Sequence, residues 1–196
     1  MSLSKLKSSV SQNIKLKKNL LKNFTIINKI KNIIFSTLKN NGKIFICGNG
    51  GSAADAQHLA AEFMVRLKPK INRKPYPVIS LALDTSTLTA CSNDYGYNKI
   101  FSRPLDALAS MNDILIVIST SGNSKNIIEA LKLAKKKKVI SVGFLGNGGG
   151  QAKSLCSLKY VVPSKNIARI QETHIFMGHL IFELVEDQLI KEEIYC

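Results

Sequence analysis

Lys43-Ile44-Phe45-Ile46-Cys47-Gly48-Asn49-Gly50-Gly51-Ser52-Ala53-Ala54-Asp55-Ala56-Gln57-His58-Leu59-Ala60-Ala61-Glu62 begins as an apolar run, turns on glycines and continues with helical spacing. The run reads as a buried strand, the Gly48–Ser52 segment as a tight turn, and the remainder as the opening of a helix. That helix places His58 and Glu62 four residues apart, on one face. Backbone amides at a strand end and an adjacent His/Glu pair suit a small phosphorylated substrate and a metal ion.

The same alternation continues along the chain. Further Ile- and Val-rich runs lie at Val78–Ala82, Ile114–Ile118, Val139–Phe144 and Leu158–Val162. Helical stretches are predicted at Ala53–Leu67, Thr85–Cys91 with Lys99–Ala109, Ser124–Lys137, Gln151–Cys156 and Ile167–Lys191. Short strands that are apolar on both faces and separated by helices indicate α/β architecture with a parallel sheet. Upstream, Leu20, Leu21, Phe24, Ile27, Ile30, Ile34 and Leu38 repeat at helical spacing. They predict one long N-terminal helix over residues 3–40, ended by Asn41-Gly42. The chain therefore divides into a helical segment, 1–42, and an α/β domain, 43–196. The Pro69–Pro77 stretch reads as a surface connection.

With 196 residues, 45% of them hydrophobic, the chain can bury one proper core. No apolar run approaches the roughly 20 residues that span a bilayer. The basic N-terminus lacks the apolar centre of a secretion signal. Four widely spaced cysteines, Cys47, Cys91, Cys156 and Cys196, form no CxxC pair and suit reduced thiols in a cytoplasm. The net charge of +15 comes from dispersed lysines with clusters at Lys15–Lys22 and Lys135–Lys138. There is no Trp and no basic stripe interleaved with aromatics, so neither nucleic acid nor membrane is expected as a partner.

Ligands of open parallel sheets bind beyond the carboxyl ends of the strands, and the polar motifs cluster there. Gly48-Asn49-Gly50-Gly51-Ser52 is neither a Walker loop nor a dinucleotide fingerprint. Ser119-Thr120-Ser121-Gly122-Asn123-Ser124 follows the apolar strand Ile114–Ile118. Its hydroxyls, with the free amides of a helix start, form a cradle for a phosphate dianion. Asn93-Asp94-Tyr95-Gly96-Tyr97 reads as a turn. Arg169-Ile170-Gln171-Glu172-Thr173-His174 and His179 lie on the last helix, with His174 the histidine assigned to packing.

Four segments together, CGNGGSAADAQHLAAE, SNDYGYNKIFSR, ISTSGNS and ARIQETHIFMGHLIFELVE, resemble the sugar-isomerase (SIS) superfamily and specifically the phosphoheptose isomerases. The resemblance spans residues 43–187. It implies a three-layer αβα sandwich on a five-stranded, flavodoxin-like parallel sheet, with the 1–42 segment serving oligomerisation. It implies interconversion of sedoheptulose 7-phosphate and D-glycero-D-manno-heptose 7-phosphate, for lipopolysaccharide or capsule. By position it places metal ligands, with one zinc per subunit, at His58, Glu62, Gln171 and His179. It places acid–base work at Glu62 and His179. It places substrate contacts at Asn49, Gly50, Gly51, Ser52, Glu62, Asn93, Asp94, Ser119, Thr120, Ser121, Ser124 and Gln171. It also implies a homotetramer with active sites at subunit contacts. The Lys68–Tyr76 loop matches no motif of the family.

One distance restricts that ligand set. Gln171 and His179 are eight residues apart, roughly 12 Å along a regular helix, whereas two ligands of one zinc lie only about 3–4 Å apart. Either Gln171 sits off that helix or one of the two comes from a neighbouring subunit; the second is the favoured expectation. Two other SIS readings compete: a non-catalytic protein that binds a DNA replication initiator, and an etherase or sugar-phosphate sensor. The full His/Glu/Gln/His set disfavours both.

Overall fold

The computed structural model describes residues 2–194; Cys196 lies outside the described residues. Five parallel strands form one sheet: β1 (Ile44–Gly48), β2 (Val78–Ser80), β3 (Ile114–Ser119), β4 (Ile140–Gly146) and β5 (Leu158–Val162), in the order β2-β1-β3-β4-β5. The order reverses between β1 and β3, so the loops that leave these two strands diverge and open a crevice at their carboxyl ends. All residues of β1 and β3 are buried, as expected of strands covered on both faces.

Alternation along the strands sends side chains into two separate cores. Ile44, Ile46, Ile114, Ile116, Ile118, Val142 and Phe144 pack on one face. There they meet helices α1 (Leu3–Lys22), α2 (Phe24–Lys39), α3 (Gly51–Met64) and α8 (Ile167–Ile194). Phe45, Cys47, Leu115, Val117 and Leu145 pack on the other, against α4 (Thr85–Tyr95), α5 (Ser102–Leu108), α6 (Lys125–Lys136) and α7 (Ala152–Leu155). Cys47, Cys91 and Cys156 are unbridged and buried. Burial, then the neighbouring Cys156, pushes the Cys47 thiol well above its ordinary range.

The expected layers and strands are present, but several boundaries shift. The single helix expected over 3–40 is two helices that meet at Asn23. There the Asn23 amide takes the Leu20 carbonyl at 3.0 Å, while its side-chain Nδ2 takes the Asn19 carbonyl at 2.9 Å. The side chain thus occupies the acceptor that a continuing helix would use. Strand β2 stops at Ser80, two residues early, and β4 continues to Gly146. The second half of the Lys99–Ala109 helix is real, but Tyr97–Lys99 forms a single 3₁₀ turn and α5 starts at Ser102.

At the amino ends of β1 and β3 a buried carboxylate ties the sheet. Asp113 accepts from the backbone N–H of Lys43 at 2.7 Å and of Ser110 at 2.8 Å. Burial alone would raise its pKa; the two N–H donors and the Lys43 ammonium outweigh this and hold it below the ordinary carboxylate value.

Candidate active site

The turn after β1 is built for close approach. Gly50 has φ +56°, a left-handed conformation that costs glycine little, and its carbonyl receives the N–H groups of Ala53 and Ala54 at the start of α3. Asn49 is held by a reciprocal pair of hydrogen bonds. Its Nδ2 donates to Asn126 Oδ1 at 3.0 Å, and Asn126 Nδ2 donates back to Asn49 Oδ1 at 2.8 Å. The Tyr97 hydroxyl donates to the same Asn49 oxygen at 3.1 Å. Asn126 is buried and also accepts from the Ile127 N–H, so α6 is pinned to the β1 turn. Asn126 and Tyr97 were not among the residues expected from sequence. Asn126 lies just beyond the hydroxyl-rich motif, and no spacing rule marks it.

The hydroxyl loop leaves β3 and enters α6. Ser119 is buried and its Oγ accepts the Gly122 N–H at 3.0 Å; Ser121 Oγ accepts the Asn123 N–H. Ser124 stands at the N-cap of α6, yet its hydroxyl makes no capping bond. The first-turn amides and this hydroxyl therefore face the same end of the helix, where its dipole favours an anion. Gly122 has φ +65°, and a Cβ there would fall 1.9 Å from the Gly149 carbonyl oxygen. The loop after β4 is thus packed directly beneath the loop after β3. Ala152 N–H on Gly122 O and Gln151 N–H on Asn123 Oδ1 reinforce the contact.

On the other side of the β1 turn, α3 and α8 bring three potential metal ligands together. His58, Glu62 and His179 offer ligand atoms that all lie within 4.8 Å of one another. The Nε2 atoms of His58 and His179 are 2.8 Å apart, with the rings nearly perpendicular at 89°. His58 Nε2 lies 3.4 Å from Glu62 Oε1. Burial, then the charge of His58, lowers the His179 pKa, and Glu62 opposes them. His179 is therefore biased towards the neutral form that ligates metals. Asp55, one turn before His58, has a buried Oδ2 with no partner among the described residues. Burial raises its pKa to about 6, against the pull of His58.

Helix α8 runs unbroken from Ile167 to Ile194, so Gln171 and His179 are separated by two turns on one rod. Gln171 instead lies against the glycine turn, its Nε2 2.6 Å from where a Gly51 Cβ would stand. His174 is buried. Its Nε2 meets the Leu145 carbonyl at 3.0 Å, which fixes the proton on Nε2. Burial lowers its pKa to about 4. This is the packed histidine that the sequence suggested. Asn93 and Asp94 do not lie in the turn expected from sequence. They occupy the last turn of α4, which Gly96 ends; both are exposed, and Asn93 Nδ2 donates to Asp94 Oδ1 at 2.9 Å.

The SIS domain family matches residues 12–146. A phosphoheptose isomerase of Clostridium acetobutylicum is 41% identical over 192 residues, covering 96% of this chain and 97% of that protein. The chain belongs to the phosphoheptose isomerase family. A second member, from Campylobacter concisus, is 54% identical over 155 residues, 79% of this chain and 81% of its own. The solved phosphoheptose isomerase of Francisella tularensis superposes with a TM-score of 0.89 at 33% identity, over 95% of this chain and 99% of that one. The protein is an isomerase, and these relatives do not support a non-catalytic role at a replication initiator.

Proposed function

We propose that this isomerase interconverts sedoheptulose 7-phosphate and D-glycero-D-manno-heptose 7-phosphate, supplying heptose for lipopolysaccharide or capsule from the cytoplasm. The observation that carries the reading is the convergence of His58, Glu62 and His179 beside the glycine turn, on a chain whose relatives are phosphoheptose isomerases. Among the described residues no helix is long and apolar enough to cross a membrane.

Aldose–ketose isomerisation needs a base to move a proton between neighbouring carbons. It also needs help for the oxygen that gains charge. Glu62 carries the proton between C1 and C2; with Oε1 turned to His58, Oε2 is the oxygen available for that transfer. His179 serves the sugar oxygens. The phosphate rests on Ser119, Thr120, Ser121 and Ser124. Asn49, Gly50, Gly51 and Ser52 hold sugar hydroxyls, and Asn49 is held in orientation by Asn126 and Tyr97. Asn93, Asp94 and Gln171 complete the substrate contacts.

Two imidazoles and a carboxylate form a donor set that suits zinc, and the 2.8 Å between the imidazole nitrogens is near the spacing of ligands on one ion. His58, Glu62 and His179 would hold the metal, with Gln171 of a neighbouring subunit as the fourth ligand. When bound, the metal would polarise the substrate carbonyl. The separation of Gln171 and His179 along α8 supports sharing between subunits, and hence a homotetramer. The 1–42 segment is its oligomerisation element. Leu3, Leu6, Val10 and Ile14 are all exposed along α1, at a spacing that forms one apolar stripe suited to self-association.

The test is incubation with sedoheptulose 7-phosphate. An aldose product that vanishes with a chelator and returns with zinc is the expected result. A protein inert in every condition overturns the proposal.

A further inference from the structure

Arg73 lies in the connection between α3 and β2, a segment to which the sequence assigned no chemistry. Its side chain is 2% exposed, and that of Glu186, which it meets Nε to Oε1 at 2.7 Å, is 1% exposed. Charges this deeply buried persist only when partnered; here the partners fall on Glu186 Oε1, while its Oε2 is buried with no hydrogen-bond partner among the described residues. Arg73 Nη2 donates to the Glu62 carbonyl at 2.8 Å; Nη1 donates to the carbonyls of Phe63 at 3.0 Å and Lys74 at 2.9 Å. The rings of Phe63 and Tyr76 each lie 5.4 Å from the guanidinium carbon. The same Glu186 oxygen also accepts the Leu67 N–H at 3.2 Å.

These partners sit on the two helices that carry the candidate metal ligands. Glu62 and Phe63 form the last turn of α3, whose carbonyls need donors and whose dipole end favours a cation. Glu186 lies on α8, seven residues beyond His179. Apart from the Arg73–Glu186 pair and the His58–His179 contact, α3 and α8 meet through apolar contacts such as Phe63 on Phe182, with ring centroids 4.6 Å apart. Such contacts are non-directional and fix the slide of one helix along the other only weakly. We infer that Arg73 is a positioning residue for the metal site. By gripping the Glu62 carbonyl and the Glu186 carboxylate at once, it sets the register of α3 against α8. Glu62 and His58 thereby stay at ligand distance from His179. A lysine cannot substitute, since a point charge lacks the fork that reaches several acceptors together.

The inference rests on the metal reading above, and the experiment separates the two. Zinc affinity is measured by competition with a chromogenic chelator, alongside melting temperature, kcat and KM. The proteins are the full chain, Arg73→Lys, Glu186→Gln and, as a control for lost stability, Asp113→Asn at the opposite end of the sheet. An unsubstituted chain that takes no zinc refutes the metal reading before any variant is made. The expected result is zinc binding weakened about tenfold or more in Arg73→Lys and Glu186→Gln. In both, kcat falls and KM stays within about twofold of the unsubstituted value, the pattern of an interaction that acts on the reaction more than on substrate binding. Asp113→Asn lowers the melting temperature and leaves zinc affinity unchanged. The inference is overturned if both variants lose stability as the control does while keeping their zinc affinity. It is equally overturned if neither folds, because the pair is then a folding element only.

Discussion

His58 Nε2 and His179 Nε2 face each other at 2.8 Å, although 121 residues separate them in the chain. Two neutral imidazoles can share that distance only if one carries its proton on Nε2, and two imidazolium ions would repel. A cation relieves the conflict, with Glu62 close by to balance its charge. Zinc is therefore expected to raise the melting temperature. At a hundredfold excess over its dissociation constant the gain is about 2.7 kcal/mol. Protons compete for the same nitrogens, so affinity should weaken as pH falls. Because burial lowers the His179 pKa, His179 resists protonation to lower pH than a free imidazole does. Calorimetric titrations at pH 8 and pH 5.5 check the direction; tighter binding at the lower pH would contradict it.

Replacing Glu62 by Gln keeps the size of the side chain and removes the proposed base. Turnover should fall by roughly 10²–10⁴, while inorganic phosphate still binds at the loop of Ser119–Ser124. Steady-state kinetics and a phosphate titration separate the two effects. Near-normal turnover would remove Glu62 from the chemistry.

If the site is shared, two dead variants can rescue each other. Glu62→Gln and Gln171→Ala are each expected to be inactive alone. Co-refolded together, they should regain measurable activity, since some contacts then combine an intact Glu62 with an intact Gln171 from another chain. No recovery in a verified mixed oligomer would place both residues in one chain's site.

In the proposed site, Asn126 would act on substrate through Asn49. Replacing it with Ala deletes both bonds of the reciprocal pair and leaves Asn49 held only by the Tyr97 hydroxyl. The loss of about 1–2 kcal/mol expected for such bonds should appear mainly as KM raised roughly tenfold. Kinetics with the phosphorylated sugar would show it; an unchanged KM would make the pair purely structural.

His174 provides a pH test of the core. Burial lowers its pKa to about 4 in the folded protein, against about 6.5 in an unfolded chain. Between these values the unfolded state binds a proton that the native state refuses, so stability is full above about pH 6.5 and declines as pH falls towards 4. The contribution is on the order of 3 kcal/mol. Urea unfolding of the protein and of His174→Gln across this window should show a shallower decline in the variant. Parallel curves would contradict the assignment.

Much of the frame was legible from sequence because buried parallel strands announce themselves: Ile44–Cys47 and Ile114–Ile118 are apolar at every position, and little else reads that way. The His58/Glu62 spacing was equally plain, since four residues on a helix fix a face. What escaped depended on contacts between distant segments or on local competition for a backbone group. Asn23 divides the first helix by taking one carbonyl, which apolar periodicity does not register. Asn126 matters only because the β1 turn is beside it in space. Arg73 is a charge in a proline-flanked loop, and sequence places such residues in solvent. Its burial follows from Glu186, 113 residues away.

The Gly122–Gly149 contact has a consequence for how this protein can change. The proposed anion seat after β3 is shaped as much by the loop after β4 as by its own residues, because no β-carbon fits between them. Residues 147–151 contain none of the candidate ligands, yet an insertion or a bulky side chain there would tilt the hydroxyls from below. Specificity for one phosphorylated sugar over another can therefore drift through positions that never meet the sugar. A designer seeking a new substrate has a second handle in that hidden loop.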